Sequence, residues 1–251
     1  MRRMILISLF AFAAALAQSP TFDVASVKPS PPSNNDRIDI NLGTYSHGVV
    51  TLTNTTLSEC LQFAYDLVSE DQIDGPDWIR DRSLRVDIIA KTSPDTPREQ
   101  ALLMTQTLLA ERFRMQLHRE PKPVRHLELT VGKKGPKMPV WQEDVPDRPN
   151  TYNRGRLFYD HRSMHTFAVL LSRQLKQPVI DLTGLTGFYN VRLEWASDDP
   201  AIAAAPASDD ATPLPDIYQA VEEQLGLHLE AKKTPIEIIV IDRADKVPVA
   251  N

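Results

Sequence analysis

The same order of hydrophobic patterns occurs twice along this chain. Over residues 49–131 it reads strand, helix, strand, helix and a two-strand hairpin; over 157–242 it reads the same way again. In each run the second helix leads directly into a strand. One passage is Leu108-Leu109-Ala110-Glu111-Arg112-Phe113-Arg114-Met115, the other Val221-Glu222-Glu223-Gln224-Leu225-Gly226-Leu227-His228. A repeated order of helix-period and strand-period apolar residues constrains both copies to one way of packing. The expected architecture is α+β: two tandem related modules, each with two helices packed on a small, mostly antiparallel sheet. The first module is expected over 18–141, a polar linker over 142–155 and the second module over 156–251.

Local signals fill in this plan. Thr56 and Glu59 form a capping box at the start of a helix whose apolar stripe is Leu57, Cys60, Leu61, Ala64 and Val68. Thr96-Pro97-Arg98-Glu99 reads as a second box, with proline at the first helical position. A helix over 216–225 buries Ile217, Ala220, Val221 and Leu225, and Gly226 takes the left-handed stop position. Ile38, Ile40 and Leu42 alternate as in a half-buried strand, 43–48 turns the chain, and Trp78 is expected to plug the first core. Pairing Leu117 with Leu127 and Met115 with Leu129 closes a hairpin at Pro121-Lys122-Pro123. Pairing Leu229 with Ile238 and Ala231 with Ile236 closes another at Lys233-Thr234. Residues 197–213, rich in Ala, Asp and Pro, are expected to form a mobile excursion.

The first 17 residues read as a signal peptide. Arg2 and Arg3 precede an apolar run from Met4 to Leu16, and Ala15-Leu16-Ala17 is a small-x-small cleavage site. The run is shorter than the roughly 20 residues a membrane helix needs. A retained anchor is the alternative. Cleavage would leave 234 of the 251 residues and move the formal charge from −5 to −7. That acidic balance opposes a nucleic-acid partner. The expected location is periplasmic or secreted. Cys60 is the single cysteine, so no internal disulfide forms; on an apolar helix face it reads as a small buried hydrophobe.

One ordered set of motifs carries a family resemblance. It starts with Thr21-Phe22-Asp23-Val24-Ala25-Ser26-Val27-Lys28-Pro29-Ser30, Gly75-Pro76-Asp77-Trp78, Leu108-Leu109-Ala110-Glu111-Arg112-Phe113 and Gly135-Pro136-Lys137. Pro178-Val179-Ile180-Asp181-Leu182-Thr183-Gly184-Leu185-Thr186-Gly187-Phe188-Tyr189 and Glu223-Gln224-Leu225-Gly226-Leu227 complete it. The set resembles the uncharacterised, exported domain family expanded as paralogues in acidobacteria. That resemblance implies export and no established activity. Related domains attached to membrane-bound sensor peptidases imply an extracytoplasmic sensing or interaction role. At the level of pattern the repeated module also resembles the short amino-terminal domains of secretins and outer-membrane receptors.

Chemistry-bearing strings are few. Asp181-Leu182-Thr183-Gly184 lacks the lysine of phosphorylated-aspartate pumps, and it lacks the second copy that an aspartic protease needs. It reads as a tight turn, with Asp181 and Thr183 bonding nearby amides and Gly184 supplying backbone freedom. In the hairpin register His118 and His126 sit opposite each other. Two ligands without a third do not make a metal site, so exposed strand histidines are expected and no metal or other cofactor is implied. His161 and His165 have helical spacing, but a cap at Ser163 leaves His161 outside the helix. No residue is assigned a catalytic role. The reading is an exported, non-enzymatic binding or interaction module at the cell envelope, with an envelope protein or glycan as partner. Its candidate contacts are Gly75, Trp78, Asp181, Thr183, Gly184 and Tyr189, with Trp195 nearby. The alternatives are a hydrolase acting on envelope polymers and a structural subunit that assembles through sheet edges.

Overall fold

A computed structural model describes residues 19–31, 41–143, 148–153, 155–197 and 214–249. The expected signal peptide, the Ile38 and Ile40 positions, part of the linker and nearly all of the 197–213 excursion lie outside the described residues. The described residues form an α+β structure of four α-helices and three mostly antiparallel sheets. The first sheet has the order β1-β5-β3-β2, from Val24–Pro29 (β1), Val86–Lys91 (β5), Val49–Thr55 (β3) and Asn41–Ser46 (β2). The second is β10-β8-β7, from Tyr189–Glu194 (β10), Arg156–Arg162 (β8) and Thr151–Asn153 (β7). The third is β4-β11-β6-β9, from Ile73–Asp74 (β4), Leu227–Arg243 (β11), Gln116–Val131 (β6) and Val179–Asp181 (β9).

Helix α1 (Leu57–Ala64) starts where the sequence places it. The Thr56 hydroxyl accepts from the Glu59 amide at 3.2 Å, and Glu59 accepts from the Thr56 amide at 2.7 Å. Such a cap stabilises by about 1 kcal/mol. Helix α2 (Arg98–Arg112) departs from the expected box: Pro97 itself is the cap residue, and no side chain closes it. Helix α3 (Met164–Leu175) is capped by Ser163. Helix α4 (Ile217–Ala220) is capped by Asp216 and runs on as a π-helical turn, Val221–Leu225, before Gly226 stops it in the left-handed region. The expected turn over 43–48 is tighter than read: β2 runs to Ser46, and only His47 and Gly48, both at positive φ, make the turn.

The two hairpins do not form. β6 and β11 are single uninterrupted strands that pair with each other, from Leu227 opposite Val131 to Arg243 opposite Gln116. Face assignments survive this change on β6, where the expected pairs join residues of like parity; on β11 they do not, because Leu229 and Ile238, like Ala231 and Ile236, differ in parity and lie on opposite faces of the continuous strand. Pro123 lies opposite Pro235. Two prolines can face each other only where the amides point away from the partner strand, since neither has an N–H to donate. Leu127, of the same parity, does point outward: its amide reaches the Pro178 carbonyl at 2.8 Å. Pro-Lys-Pro is thus compatible with a continuous strand. The short strands dock on the outer edges in parallel: β4 at Ile239 and Val240 of β11, β9 at Leu127, Glu128 and Leu129 of β6.

Two apolar cores flank this ribbon. One gathers Val50, Leu52, Leu61, Ile79, Ile88, Leu109 and Phe113, together with Ile241 from β11. The other gathers Leu157, Phe167, Leu171, Val191, Leu193 and Leu225, together with Leu127 and Leu129 from β6. Each core therefore contains a strand from the opposite end of the chain. Asp66, at φ 54, ties three helices together, contacting Arg98 at 2.7 Å and His165 at 3.3 Å. Burial opposes its charge, but hydrogen bonds and attraction from His165 and Arg98 outweigh that and bring its pKa from 3.8 to about 2.

A carboxyl depressed in the folded state stabilises fully above its unfolded pKa, and that contribution is lost as pH falls through the folded one. Urea unfolding midpoints should therefore fall between pH 4 and 2, and Asp66→Asn should flatten this part of the profile while lowering the plateau above pH 4. Gly226 gives a second prediction. A Cβ there would meet the Gly135 carbonyl oxygen at 2.2 Å, at φ +69. Gly184 has a similar φ, +66, and open space around it. Gly184→Ala should cost about 1 kcal/mol from backbone strain alone. Gly226→Ala should cost about 3 kcal/mol or more, and thermal melts of the two variants measure the steric difference.

Candidate functional site

Strand β8 carries a bulge that re-aims one side chain. Its register with β10 shifts between Tyr189 and Val191, and His161 sits in the left-handed region at φ 56. The His161 amide, turned out of the ladder, donates to the Asn190 side chain at 3.4 Å. Bulges of this kind are frequent where a strand must present a side chain away from its regular face. The His161 ring stacks on Trp141, with centroids 3.9 Å apart and planes 9° from parallel. Phe188 meets His161 edge-on at 4.3 Å and 79°, and Trp141 at 6.4 Å and 81°. Each such contact is worth about 1 kcal/mol beyond the area it buries.

Three distant segments meet in this cluster, and backbone hydrogen bonds hold them. Val140 bridges to Tyr189, the Trp141 amide donates to the Phe188 carbonyl, and the Asn190 amide donates to the Pro139 carbonyl, the last two at 2.9 Å. The surface that results is apolar. Val140 is 62% exposed, Phe188 46%, and Leu182 in the same loop 53%. Asp160, next to the bulge, is buried. Burial opposes its charge, but the Arg148 amide and the Arg192 and Arg148 guanidinium groups hold its carboxyl below the usual range.

The sequence candidates divide. Asp181, Thr183, Gly184 and Tyr189 do belong to one loop beside the aromatic cluster. Asp181 accepts from the Thr183 amide at 3.0 Å and from its hydroxyl at 2.7 Å, and Thr183 accepts from the Leu185 amide at 3.2 Å. Gly184 and Gly187 take positive φ. Asp181 and Thr183 thus shape the loop in the way the tight-turn reading expects. Tyr189 and Trp195 are buried, and the Tyr189 hydroxyl donates to the Thr186 carbonyl. The ring exposed instead is Phe188.

Gly75 and Trp78 lie elsewhere, on the β4 side of the ribbon sheet, whereas the loop follows β9 on the other edge. A Cβ at Gly75 would stand 3.1 Å from Ile241, so this glycine serves the close approach of β4 to β11. Ile79, fully buried, plugs the first core; Trp78 is only half-buried against it. His118 and His126 do not face each other. Both lie on β6, eight residues apart, which is about 26 Å of strand. His118 is exposed beside Asp242 at 3.0 Å, whose hydrogen bond raises its pKa; His126 is buried, with Nδ1 2.9 Å from the Val124 carbonyl oxygen. Among the described residues no three His, Cys, Asp or Glu side chains come together as a metal site.

Sequence reasoning missed Trp141, His161 and Phe188 as a unit. They are 20 and 27 residues apart along the chain, and only the bulge and the 139–141 edge segment bring them together. The positive φ at a non-glycine residue has no signature in hydrophobic periodicity.

A family described as protein of unknown function (DUF3738) matches residues 58–244. The chain belongs to that family, and the match runs from within α1 through β11, so it includes the ribbon and the second core but leaves out β1, β2 and β3 of the first sheet. No curated protein and no solved structure matches the chain. Among the described residues no helix is long and apolar enough to cross a membrane.

Cys60 is fully buried, 3.2 Å from the Thr55 hydroxyl, and burial pushes its thiol up to about 12. A thiol in that state is not a nucleophile at neutral pH. A maleimide reagent should label Cys60 only at the rate of global unfolding, and mass spectrometry across a urea series checks this.

Proposed function

We propose that this protein is an exported, non-enzymatic binding module of the cell envelope, and that its contact surface is the aromatic cluster of Trp141, His161 and Phe188 with Val140 and Leu182. The observation that carries this reading is an exposed apolar patch built on a strained bulge and fastened by backbone hydrogen bonds. Patches of this kind mark interaction sites more often than they mark chance exposure. The leader of 17 residues supports export, with a periplasmic or secreted destination. An envelope protein or glycan remains the partner.

The same reading takes the chain as two related modules, 18–141 and 156–251, joined by 142–155. Local devices found in both support it. The bulge residues Asn54 and His161 share φ 56, and each amide is met by a side chain on the neighbouring strand, Asp87 or Asn190. Thr56 and Ser163 cap the helices that follow. Arg114 and Gly226 both take positive φ between the last helix and the long strand. In this view each module lends its short strand, β4 or β9, to the long strand of the other. Assembly through the ribbon edges is the less favoured alternative, because Pro121, Pro123 and Pro235 remove outward amides and Lys122, Arg125 and Lys233 crowd them with charge.

Affinity capture from envelope extract, with the protein and a Leu182→Ser/Phe188→Ser variant side by side, tests the proposal. The expected result is a protein or glycan species retained by the parent and lost by the variant, with unchanged melting temperature. Identical retained sets would remove the patch from the account. Recovery of a cleaved polymer would favour the hydrolase.

A further inference from the structure

The two cores meet along a cleft that the aromatic surface does not include. On one side are α1 and the residues that follow it, on the other α3. The cleft has two adjoining recesses of about 450 and 240 Å³, and Leu42, Gln62 and Arg173 line both. The larger volume falls in the range of small-molecule sites, which occur preferentially between packed units of a chain.

Several groups in the cleft carry hydrogen-bonding capacity that the described residues do not use. Gln62 is 8% exposed, and its carboxamide makes no hydrogen bond among the described residues. Its side chain is held in place by burial while the carboxamide lines both recesses, so the donor and acceptor there are open to a ligand. The Arg173 guanidinium, at the point shared by both recesses, makes no ion pair among the described residues. Lys176 and Arg82 line the larger recess and are likewise without an ion pair there. Of the facing carboxylates, Glu59 is taken by the Thr56 amide and Arg85, and Glu70 by Arg80. Asp71 has no ion pair among the described residues.

The three kinds of group define a ligand. A guanidinium matches a carboxylate with two parallel hydrogen bonds. A carboxamide offers the donor and acceptor that a peptide group needs. A free carboxylate matches an ammonium. We propose that this cleft binds a short peptide with free ends, its carboxylate on Arg173 and Lys176, an internal amide on Gln62 and its ammonium on Asp71. The site is separate from the aromatic surface and does not depend on it.

Isothermal titration calorimetry of the purified protein with trialanine tests the proposal, using the carboxy-amidated and amino-acetylated forms and inorganic phosphate as comparison probes. Trialanine should bind, and amidation or Arg173→Ala should each weaken binding at least tenfold. Acetylation or Asp71→Asn should each weaken it several-fold, and Gln62→Leu should weaken binding of all three peptide forms. Arg173→Lys, which keeps the charge and loses the fork, should fall between Arg173→Ala and the parent. Thermal melts verify that each variant is folded. Leu182→Ser/Phe188→Ser should leave the titration unchanged, which separates this cleft from the aromatic surface. No heat with trialanine at millimolar concentration, binding unaffected by Arg173→Ala, or phosphate displacing trialanine with equal affinity would overturn it, the last reducing the cleft to a general anion site.

Discussion

The antiparallel pairing of β6 with β11 is the constraint on which the rest of the structure depends. Hydrogen bonding along this ribbon joins residues 96 to 127 positions apart, from Val131 opposite Leu227 to Gln116 opposite Arg243. One end supplies Leu127 and Leu129 to the second core; the other supplies Ile241 to the first. Neither core is complete without a strand drawn from the far part of the chain. Closing loops of that length carries an entropic cost that grows only slowly with length, but it slows folding because the non-local contacts form late. The cores are therefore coupled: loss of the ribbon opens both.

That coupling decides how the edges are managed. A ribbon exposed at its middle on both outer edges invites strand addition. Here the prolines remove outward amides while leaving the inner ladder intact, since Pro123 and Pro235 occupy a pair whose amides face away from each other. The edges that are not blunted in this way carry β4 and β9. The charge pair of Lys122 with Asp74 sits where β4 docks, exposed and so of small energetic weight; the apolar contact of Gly75 with Ile241 does more to fix that strand.

Much of this was legible in the sequence, and the failures have physical causes. The α+β class, the Thr56–Glu59 box, the Ser163 cap, the Gly226 stop and the buried stripe of α1 follow from local chemistry, which acts within a few residues. The hairpins failed because alternation reports which face a residue occupies and is silent about which strand lies beside it. Leu117 and Leu127 share a face whether they pair with each other or with Ile241 and Ala231. Pro-Lys-Pro added a false turn signal, since proline breaks a strand only where its amide is needed. The same error misplaced His118 and His126. The 181–189 loop was found from its Asp, Thr and Gly spacing, but its exposed ring, Phe188, was passed over for Tyr189, whose burial depends on the core around it.

The two bulges separate what the backbone requires from what the surface presents. Asn54 and His161 hold the same φ of 56, so the left-handed residue answers a need of the strand-to-helix passage. Asparagine meets that need with little strain, and around it Arg85 donates to the Asn54 carbonyl, Asp87 accepts its amide and Glu59 pairs with Arg85. That bulge is closed by its own polar neighbours. Histidine at the second bulge brings a ring for which the backbone has no use, and two further aromatic side chains are arranged around it, one of them nearly half exposed. Burying these rings in a core would satisfy packing at lower cost, because exposed apolar area forgoes roughly 25 cal/mol per Å². Their placement at the surface, on a frame that Asn190 and the 139–141 segment hold in position, is not something that the packing of either core requires.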